Sequence, residues 1–385
     1  MQTSLHVESA VRNRYSEAAV KRIEALCCPI EYDRQYLKVI PQEVIERDYG
    51  CGDPSKHLQP GETVLDLGSG AGKICFIAAQ VVGPTGRVIG VDMNDDMLAI
   101  ARKYAPIVGD SIGYHNVEFR KGRIQDLSLD LEKLDAELQN NPIHGADRFL
   151  VAEERAEELR VTAPLIASGS IDVVVSSCVL NLVEPRAKHQ LFHEIFRVLR
   201  NGGRAVISDI ASDEPVPEEL QNDPQLWSGC ISGALTEEAF VGAFVEAGFY
   251  GVRILKRDTQ PWKTVSGIEF RSLTIEAFKG QQGDCFERNQ AVIYKGPFRE
   301  VLDDEGRRME RGRRYAVCDK TYELYKKSPY EHCFEFIEPR IAVPLREATP
   351  YVREPGALRH PRDTKEPDYS PTSETSQCRD GGSCC

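Results

Sequence analysis

The chain has 385 residues, 41% of them apolar, which is longer than one ordinary domain and enough to bury a sizeable core. Its 48 Lys and Arg against 60 Asp and Glu give a formal charge of −12, which argues against nucleic-acid phosphates or an anionic membrane as the main partner. The amino terminus has no signal-type apolar segment and no apolar run approaches the ~18 residues of a membrane span, so a cytoplasmic protein is expected.

In chain order, residues 1–60 read as an N-terminal helical segment, with helical apolar spacing over Ala10–Ala25 and breaks at Pro29 and Pro41. Thr63–Leu67 is a short buried strand. The run Gly68-Ser69-Gly70-Ala71-Gly72 then leads into an apolar helix that ends near Val82. Further strands follow at Arg87–Asp92, Val117–Phe119, Ile171–Ser176 and Arg204–Ile210, with helices over Asp95–Tyr104, Pro185–Leu199 and Thr236–Ala247. Strands alternating with helices at this spacing predict an α/β fold over 61–260, a Rossmann-like, mostly parallel sheet with flanking helices. The charged stretch 127–168 reads as a helical insertion, two helices around Asn140-Asn141-Pro142. Ile268–Phe278, Ala291–Tyr294 and Phe298–Leu302 alternate apolar and polar, which predicts a smaller β-rich (α+β) C-terminal domain over 261–347, with Asp303-Asp304-Glu305-Gly306 as a hairpin turn. From 348 to 385 the prolines and polar residues predict a disordered tail carrying Cys378, Cys384 and Cys385.

A glycine-rich turn between a strand and a helix lets the backbone approach a ligand and aims helix N–H groups at it. Asp92, at the end of the second strand, comes twenty residues after Gly72. That is the spacing of a carboxylate that accepts ribose hydroxyls. The glycines Gly68, Gly70 and Gly72 do not meet the dinucleotide pattern G-x-G-x-x-G. The string VLDLGSGAG instead resembles the first motif of the S-adenosylmethionine-dependent methyltransferases with a Rossmann-like sheet. The resemblance implies S-adenosyl-L-methionine as cofactor, with Asp66 at its methionine end, Asp92 on its ribose, and Met93, Arg123 and Ile124 near its adenine.

The twelve cysteines are too few for a secreted disulfide scaffold, and any one of them is ordinarily a small buried hydrophobe. Three have a more telling position. Cys178 directly follows the fourth strand, on the sheet edge where ligands bind; Cys51 lies between glycines that suggest an exposed, flexible loop; Cys230 follows the fifth strand. Three convergent thiolates suit a soft element. Trivalent arsenic would take three sulfur bonds and keep a lone pair to aim at the sulfonium methyl, with no general base required.

DYGCG, VLDLGSGAG, SSCVLNLV and WSGCISGAL, in that order, resemble the arsenite S-adenosylmethionine methyltransferases over roughly residues 10–340. The resemblance implies methylation of arsenic(III) held by Cys51, Cys178 and Cys230, giving mono- and dimethylated arsenicals in arsenic detoxification. It further implies a redox cysteine at Cys27 or Cys28 in disulfide relay with Cys51, reset by thioredoxin or glutathione, and Tyr49 at the methyl-transfer end. No tightly bound metal cofactor is implied, and a monomer is expected. This chain departs from shorter members at Lys73-Ile74, where they have Arg-Asp, and in the 127–168 insertion. Two other readings stay open: a C- or O-methyltransferase of small organic molecules with incidental cysteines, and a non-catalytic metalloid-binding protein. Cys75, Cys285, Cys318 and Cys333 read as structural, His189 and His193 as a solvated helix face, and Asp209 as either a turn residue or a group behind the site.

Overall fold

The computed structural model describes residues 7–23 and 30–365. It divides into two compact units, Met1–Gly280 and Gln281–Cys385. The first opens with helices α1 (Val7–Val20), α2 (Arg34–Leu37) and α3 (Gln42–Glu46). The alternating core follows as β1 (Thr63–Leu67), α4 (Lys73–Val82), β2 (Arg87–Asp92), α5 (Asp95–Ile112) and β3 (Val117–Lys121). The insertion α6 (Leu131–Asn140) and α7 (Ala146–Thr162) precedes β4 (Ile171–Ser177), α8 (Pro185–Val198) and β5 (Leu199–Ser212). Short helices α9 (Glu218–Gln221) and α10 (Pro224–Ser228), strand β6 (Leu235–Thr236) and helix α11 (Glu237–Glu246) lead to β7 (Tyr250–Arg257), β8 (Lys263–Val265) and β9 (Ile268–Phe278).

The sheet runs β3-β2-β1-β4-β5-β9-β7, with β6 on β5 and β8 on β9. The first five strands are parallel; β9 is antiparallel to both β5 and β7. Both faces are covered, so the strands are near-continuous apolar runs whose alternate residues feed opposite cores. Leu65, Leu67, Val174 and Ile207 pack with Leu191, Phe192 and Ile195 of α8 and Phe240 and Phe244 of α11. Val64, Val173, Val175 and Val206 pack on the other side with Phe76 and Ile77 of α4 and Met97 and Leu98 of α5. The chain order reverses between β1 and β4, which leaves a crevice at their carboxyl ends.

Two sequence expectations are corrected. Ile268–Phe278, expected within a C-terminal domain starting at 261, is β9 of the first unit: it pairs with β5 from Arg204↔Phe278 to Ser212↔Phe270. Alternation marks a strand but not the sheet it joins, and the units part at Gly280. The expected disordered tail also starts too early. Thr349–Pro350 pairs with Phe286–Glu287, and Arg359, fully buried, donates to Glu287 Oε1 at 2.6 Å and Gln290 O at 3.3 Å. Residues 366–385, with the three terminal cysteines, lie outside the described residues.

The second unit comprises β10 (Phe286–Glu287), β11 (Ala291–Tyr294), β12 (Glu300–Leu302), β13 (Arg308–Glu310), β14 (Arg314–Ala316), α12 (Asp319–Tyr325), β15 (Phe334–Ile337) and β16 (Thr349–Pro350). Its centre is the antiparallel sheet β14-β11-β15 around Val292, Tyr294, Tyr315, Tyr322, Tyr325 and Phe334.

Candidate functional site

A cavity opens at the crevice, lined by Asp66, Gly68–Ala71, Asp92–Asn94, Gly122, Ile124, Gln125, Tyr49 and Cys178 among others. The glycine turn is held by its own backbone: Gly68 N–H and Ser69 N–H donate to Val91 O at 2.8 and 3.1 Å, and Gly72 N–H to Ser69 O at 2.8 Å. Gly72 sits at φ +92°, and a Cβ there would meet Phe119 at 2.7 Å, so only glycine serves as the cap of α4. Asp92 accepts from Gly70 N–H at 2.8 Å and Asn94 N–H at 2.9 Å. Burial raises its pKa against the pull of those two donors. Asp66 is 2% exposed; burial pushes it up to about 7, although Cys75 Sγ donates to it at 3.2 Å. Ser69 Oγ, buried in the cavity wall, has no hydrogen-bond partner among the described residues.

Helix α1 closes one side of the cavity with Glu8, Val11, Arg12 and Tyr15. It is tied down along its length. Glu8 receives Arg123 and Gln125, each at 2.9 Å; Asn94 Nδ2 donates to Arg12 O and Ser16 Oγ; Arg14 donates to Gln225 O and Ser228 Oγ. Arg47 donates to Ala19 O and Val20 O, which lack intrahelical partners at the helix end. Tyr15 meets Tyr49 edge-on at 6.0 Å; its pKa is raised well above the usual range by burial and then by the Cys230 and Cys178 thiols.

Cys51, Cys178 and Cys230 come from three segments into one apolar cluster with Ile210, Val216, Ile231 and Phe270, and each is at most 4% exposed. The thiols of Cys51 and Cys178 and a carboxylate oxygen of Asp209 lie within 4.8 Å of one another. Cys230 Sγ donates to Cys178 O at 3.2 Å. Of the three, Cys178 lines the cavity; Cys51 and Cys230 stand behind it. The glycines around Cys51 provide close approach rather than the flexibility expected from sequence. A Cβ on Gly50 would meet Ser177 Oγ at 2.5 Å, and one on Gly52 would meet Ser208 Cβ at 2.4 Å. Ser177 Oγ accepts from Cys51 N–H and Gly52 N–H at 3.1 and 3.2 Å and donates to Gly52 O at 2.9 Å.

Cys178 and Cys230 have φ of 64° and 62°, two of only four non-glycine residues at positive φ among the described residues. Such backbone costs about 1–2 kcal/mol per residue and persists only where neighbours impose it. Here the neighbours are identifiable. Cys178 N–H donates to Ser208 O at 2.9 Å, and Asn181 Nδ2 donates to Ile210 O at 2.6 Å and Cys230 O at 3.3 Å. The buried Lys188 ammonium donates to Gly233 O and, at 3.5 Å, to Asn181 Oδ1. Burial lowers Lys188 to about 8, and burial raises Asp209 to about 6 against the donors Ile210 N–H and Leu180 N–H and the Lys188 charge.

With this geometry in place, sequence comparison is decisive. An arsenite methyltransferase of Aquipseudomonas alcaligenes is 30% identical over 351 residues, 86% of this chain and 91% of that one. The chain belongs to the arsenite methyltransferase family. The mouse arsenite methyltransferase is 28% identical over 92% of this chain and 87% of its own. A crystal structure from Chlamydomonas reinhardtii, an arsenic(III) S-adenosylmethionine methyltransferase, is similar at 28% identity and a TM-score of 0.54, covering 82% of this chain and 99% of that chain. A methyltransferase-domain family matches residues 58–160 and 139–248, and a family described as a domain of unknown function matches 281–369.

In this member of the family, the cavity walls include Asp66, Gly68, Gly70, Asp92, Met93, Ile124 and Tyr49 of the expected cofactor residues. Arg123 and Gly72 are not among the lining residues: Arg123 is turned to Glu8 at 2.9 Å, and Gly72 caps α4. Tyr49 presents its ring, because its hydroxyl donates to Ala18 O at 3.0 Å and accepts from Ile23 N–H at 3.2 Å. Cys27 and Cys28 lie outside the described residues. Sequence reasoning missed the α1 residues Glu8, Val11, Arg12 and Tyr15, and the unpartnered hydroxyl of Ser69. The Asn94 cap two residues after Asp92 was readable as a helix start; α1 carries no motif.

Proposed function

We propose that the chain methylates trivalent arsenic held by the thiolates of Cys51, Cys178 and Cys230, using S-adenosylmethionine, and gives mono- and dimethylated arsenicals. The observation that carries this reading is the convergence of the three buried cysteines, two in left-handed backbone, at the edge of the cavity that holds the glycine turn and Asp92. The cofactor fits the residues present. The Gly68–Gly72 turn leaves room for close approach, the Asp92 carboxylate stands at the end of β2, and Ser69 Oγ is a buried hydroxyl facing a cavity without a protein partner among the described residues. When bound, S-adenosylmethionine supplies an electrophilic methyl on its sulfonium sulfur.

Each thiol that binds arsenite replaces one hydroxyl, and the thiol proton leaves with that hydroxyl as water. Three thiolates leave arsenic one free side, its lone pair, which Cys178 at the cavity wall directs toward the cofactor end. Tyr15, Tyr49 and Ile210 keep water from that side. Transfer raises arsenic formally to the pentavalent state, and two electrons return it to the trivalent state. The reading assigns them to Cys51 and Cys27 or Cys28, whose two thiols become one disulfide that thioredoxin or glutathione reduces again by exchange.

The test is Cys178→Ser and Cys230→Ser, with products separated by arsenic-resolved chromatography. Arsenite methylation should fall by at least about 100-fold in each, with cofactor affinity within about threefold of the parent. Full activity in either variant sinks the three-thiolate site. Methylation of organic acceptors with arsenite untouched would favour the C- or O-methyltransferase reading.

A further inference from the structure

The second unit contains a pair of thiols that the methylation chemistry does not use. Cys318 Sγ and Cys285 Sγ stand 2.8 Å apart, and both are free thiols. Apolar atoms in ordinary contact sit roughly 3.5–4.0 Å apart, and a disulfide bond is about 2.05 Å long. The two sulfurs therefore stand inside ordinary packing distance and outside bonding distance.

The separation is imposed by the surrounding chain. Phe286 N–H donates to Asp319 Oδ1 at 2.8 Å, Lys320 Nζ to Gly283 O at 2.8 Å, and Tyr351 N–H to Cys285 O at 2.9 Å. On the other side, the Cys318 thiol is fixed by Thr321, whose N–H donates to Sγ at 3.5 Å and whose Oγ1 lies 3.3 Å away. The segments 283–286 and 318–321 are thus joined by bonds that do not involve sulfur–sulfur contact, so little chain entropy remains to be lost on linking the thiols.

Their exposure differs. Cys318 is fully buried, at 0%, while Cys285 is partly exposed. Of the two, Cys285 is therefore the residue more open to a dissolved oxidant.

We propose that Cys285 and Cys318 form a reversible dithiol–disulfide couple, an oxidative modification site in the C-terminal unit that takes small disulfides as its co-reactant. Cys285 attacks one sulfur of the small disulfide, and the other sulfur leaves as a thiol that carries a proton. Cys318 then attacks the Cys285 sulfur of the mixed disulfide; the second small thiol leaves with a proton, and the Cys285–Cys318 bond closes. Two protein thiols are oxidised, one small disulfide is reduced, and the reverse sequence with two small thiols reopens the pair. Burial and the neighbouring Cys318 push the Cys285 thiol up to about 11, so thiolate is scarce at neutral pH. The rate should therefore rise about tenfold per pH unit below that value.

The experiment uses the full chain, equilibrated with mixtures of reduced and oxidised glutathione, quenched with acid, alkylated and mapped by peptide mass spectrometry. The expected result is a Cys285–Cys318 linked peptide that exceeds the Cys285–glutathione mixed disulfide by at least about tenfold. Cys318→Ser should trap the mixed disulfide on Cys285, whereas Cys285→Ser should leave Cys318 unmodified. If Cys318→Ser does not fold, Cys318→Ala replaces it, and the wild-type peptide map stands without either variant. The proposal is overturned if both cysteines stay alkylatable under oxidised glutathione, if Cys285 stops at the mixed disulfide, or if it pairs with Cys333. Modification of Cys318 in Cys285→Ser at the wild-type rate overturns the order of attack.

Discussion

Lys188→Met separates the stability of the thiol site from its geometry. Lys188 is 7% exposed, so its charge is barely screened by water. Burial holds it at about 8 against the ordinary 10.5, a difference worth roughly 3 kcal/mol against the charged form. Methionine removes that cost. It also removes the donor to Gly233 O and Asn181 Oδ1, at about 1–3 kcal/mol for the groups left unpaired. At pH 7 the two terms nearly cancel, and the variant should match the parent or exceed it by up to ~2 kcal/mol. The sign reverses with alkali. Between about 8 and 10.5 the unfolded chain keeps the lysine proton while the folded chain has released it, so the parent gains stability as pH rises and the variant does not. Near pH 10.5 the parent should lead by about 1–3 kcal/mol. Arsenite affinity should meanwhile fall about tenfold at pH 7, because the turn around Cys230 loses the tether against its left-handed strain of ~1–2 kcal/mol. Urea unfolding at several pH values, followed by fluorescence of Trp262, packed on the cysteine cluster, and of Trp227, whose carbonyl accepts from Cys230 N–H, gives the first quantity; arsenite titration gives the second. A loss of several kcal/mol at pH 7, or a stability difference that does not change with pH, would refute the reasoning.

Three further outcomes are expected. Cys51→Ser should impair methylation of arsenite more than of a monomethylated, two-thiol substrate; equal losses on both, measured by product chromatography, count against its place among three ligands. Asp92→Ala should weaken cofactor binding by about 10–100-fold in calorimetry while arsenite binding holds, since its carboxylate is separate from the thiol cluster. Asn94→Ala removes both the cap of α5 and the tie to α1, and should cost about 1–2 kcal/mol in urea unfolding with a rise in KM for the cofactor. An unchanged KM would show that α1 does not shape the cofactor site.

The parts of the site legible in the sequence were those that local chemistry dictates. The turn at Gly68–Gly72 and the acid at Asp92 follow from how a strand must hand over to a helix around a ligand, and the structure has both in the same place. Cys178 could be placed because any residue just after a parallel strand faces the sheet's ligand edge. What escaped is what tertiary packing decides. The α1 segment has weak amphipathicity and no motif, yet Tyr15 lines the same cavity as Cys178. Lys188, beside His189 and His193 on a charged helix, reads as surface, although it is buried under the Cys230 turn. Glycines flanking Cys51 fit freedom and close approach equally well as a sequence. The 2.4–2.5 Å clashes that a Cβ would make at either position decide for approach. Likewise, the β9 alternation says that one face is apolar without saying which sheet it completes.

The left-handed backbone at Cys178 and Cys230 has a consequence for how damage to this enzyme would be noticed. A glycine at either position relieves about 1 kcal/mol of strain and forfeits about as much by removing a small buried side chain. Such a chain would fold, express and melt much like the parent, while losing a thiol that no neighbour replaces. Screens based on solubility or thermal shift are blind at these two positions. If these thiols hold arsenic as proposed, only an assay that follows arsenic would detect the loss, and a lineage freed from arsenic exposure could lose the activity there without any fall in protein abundance.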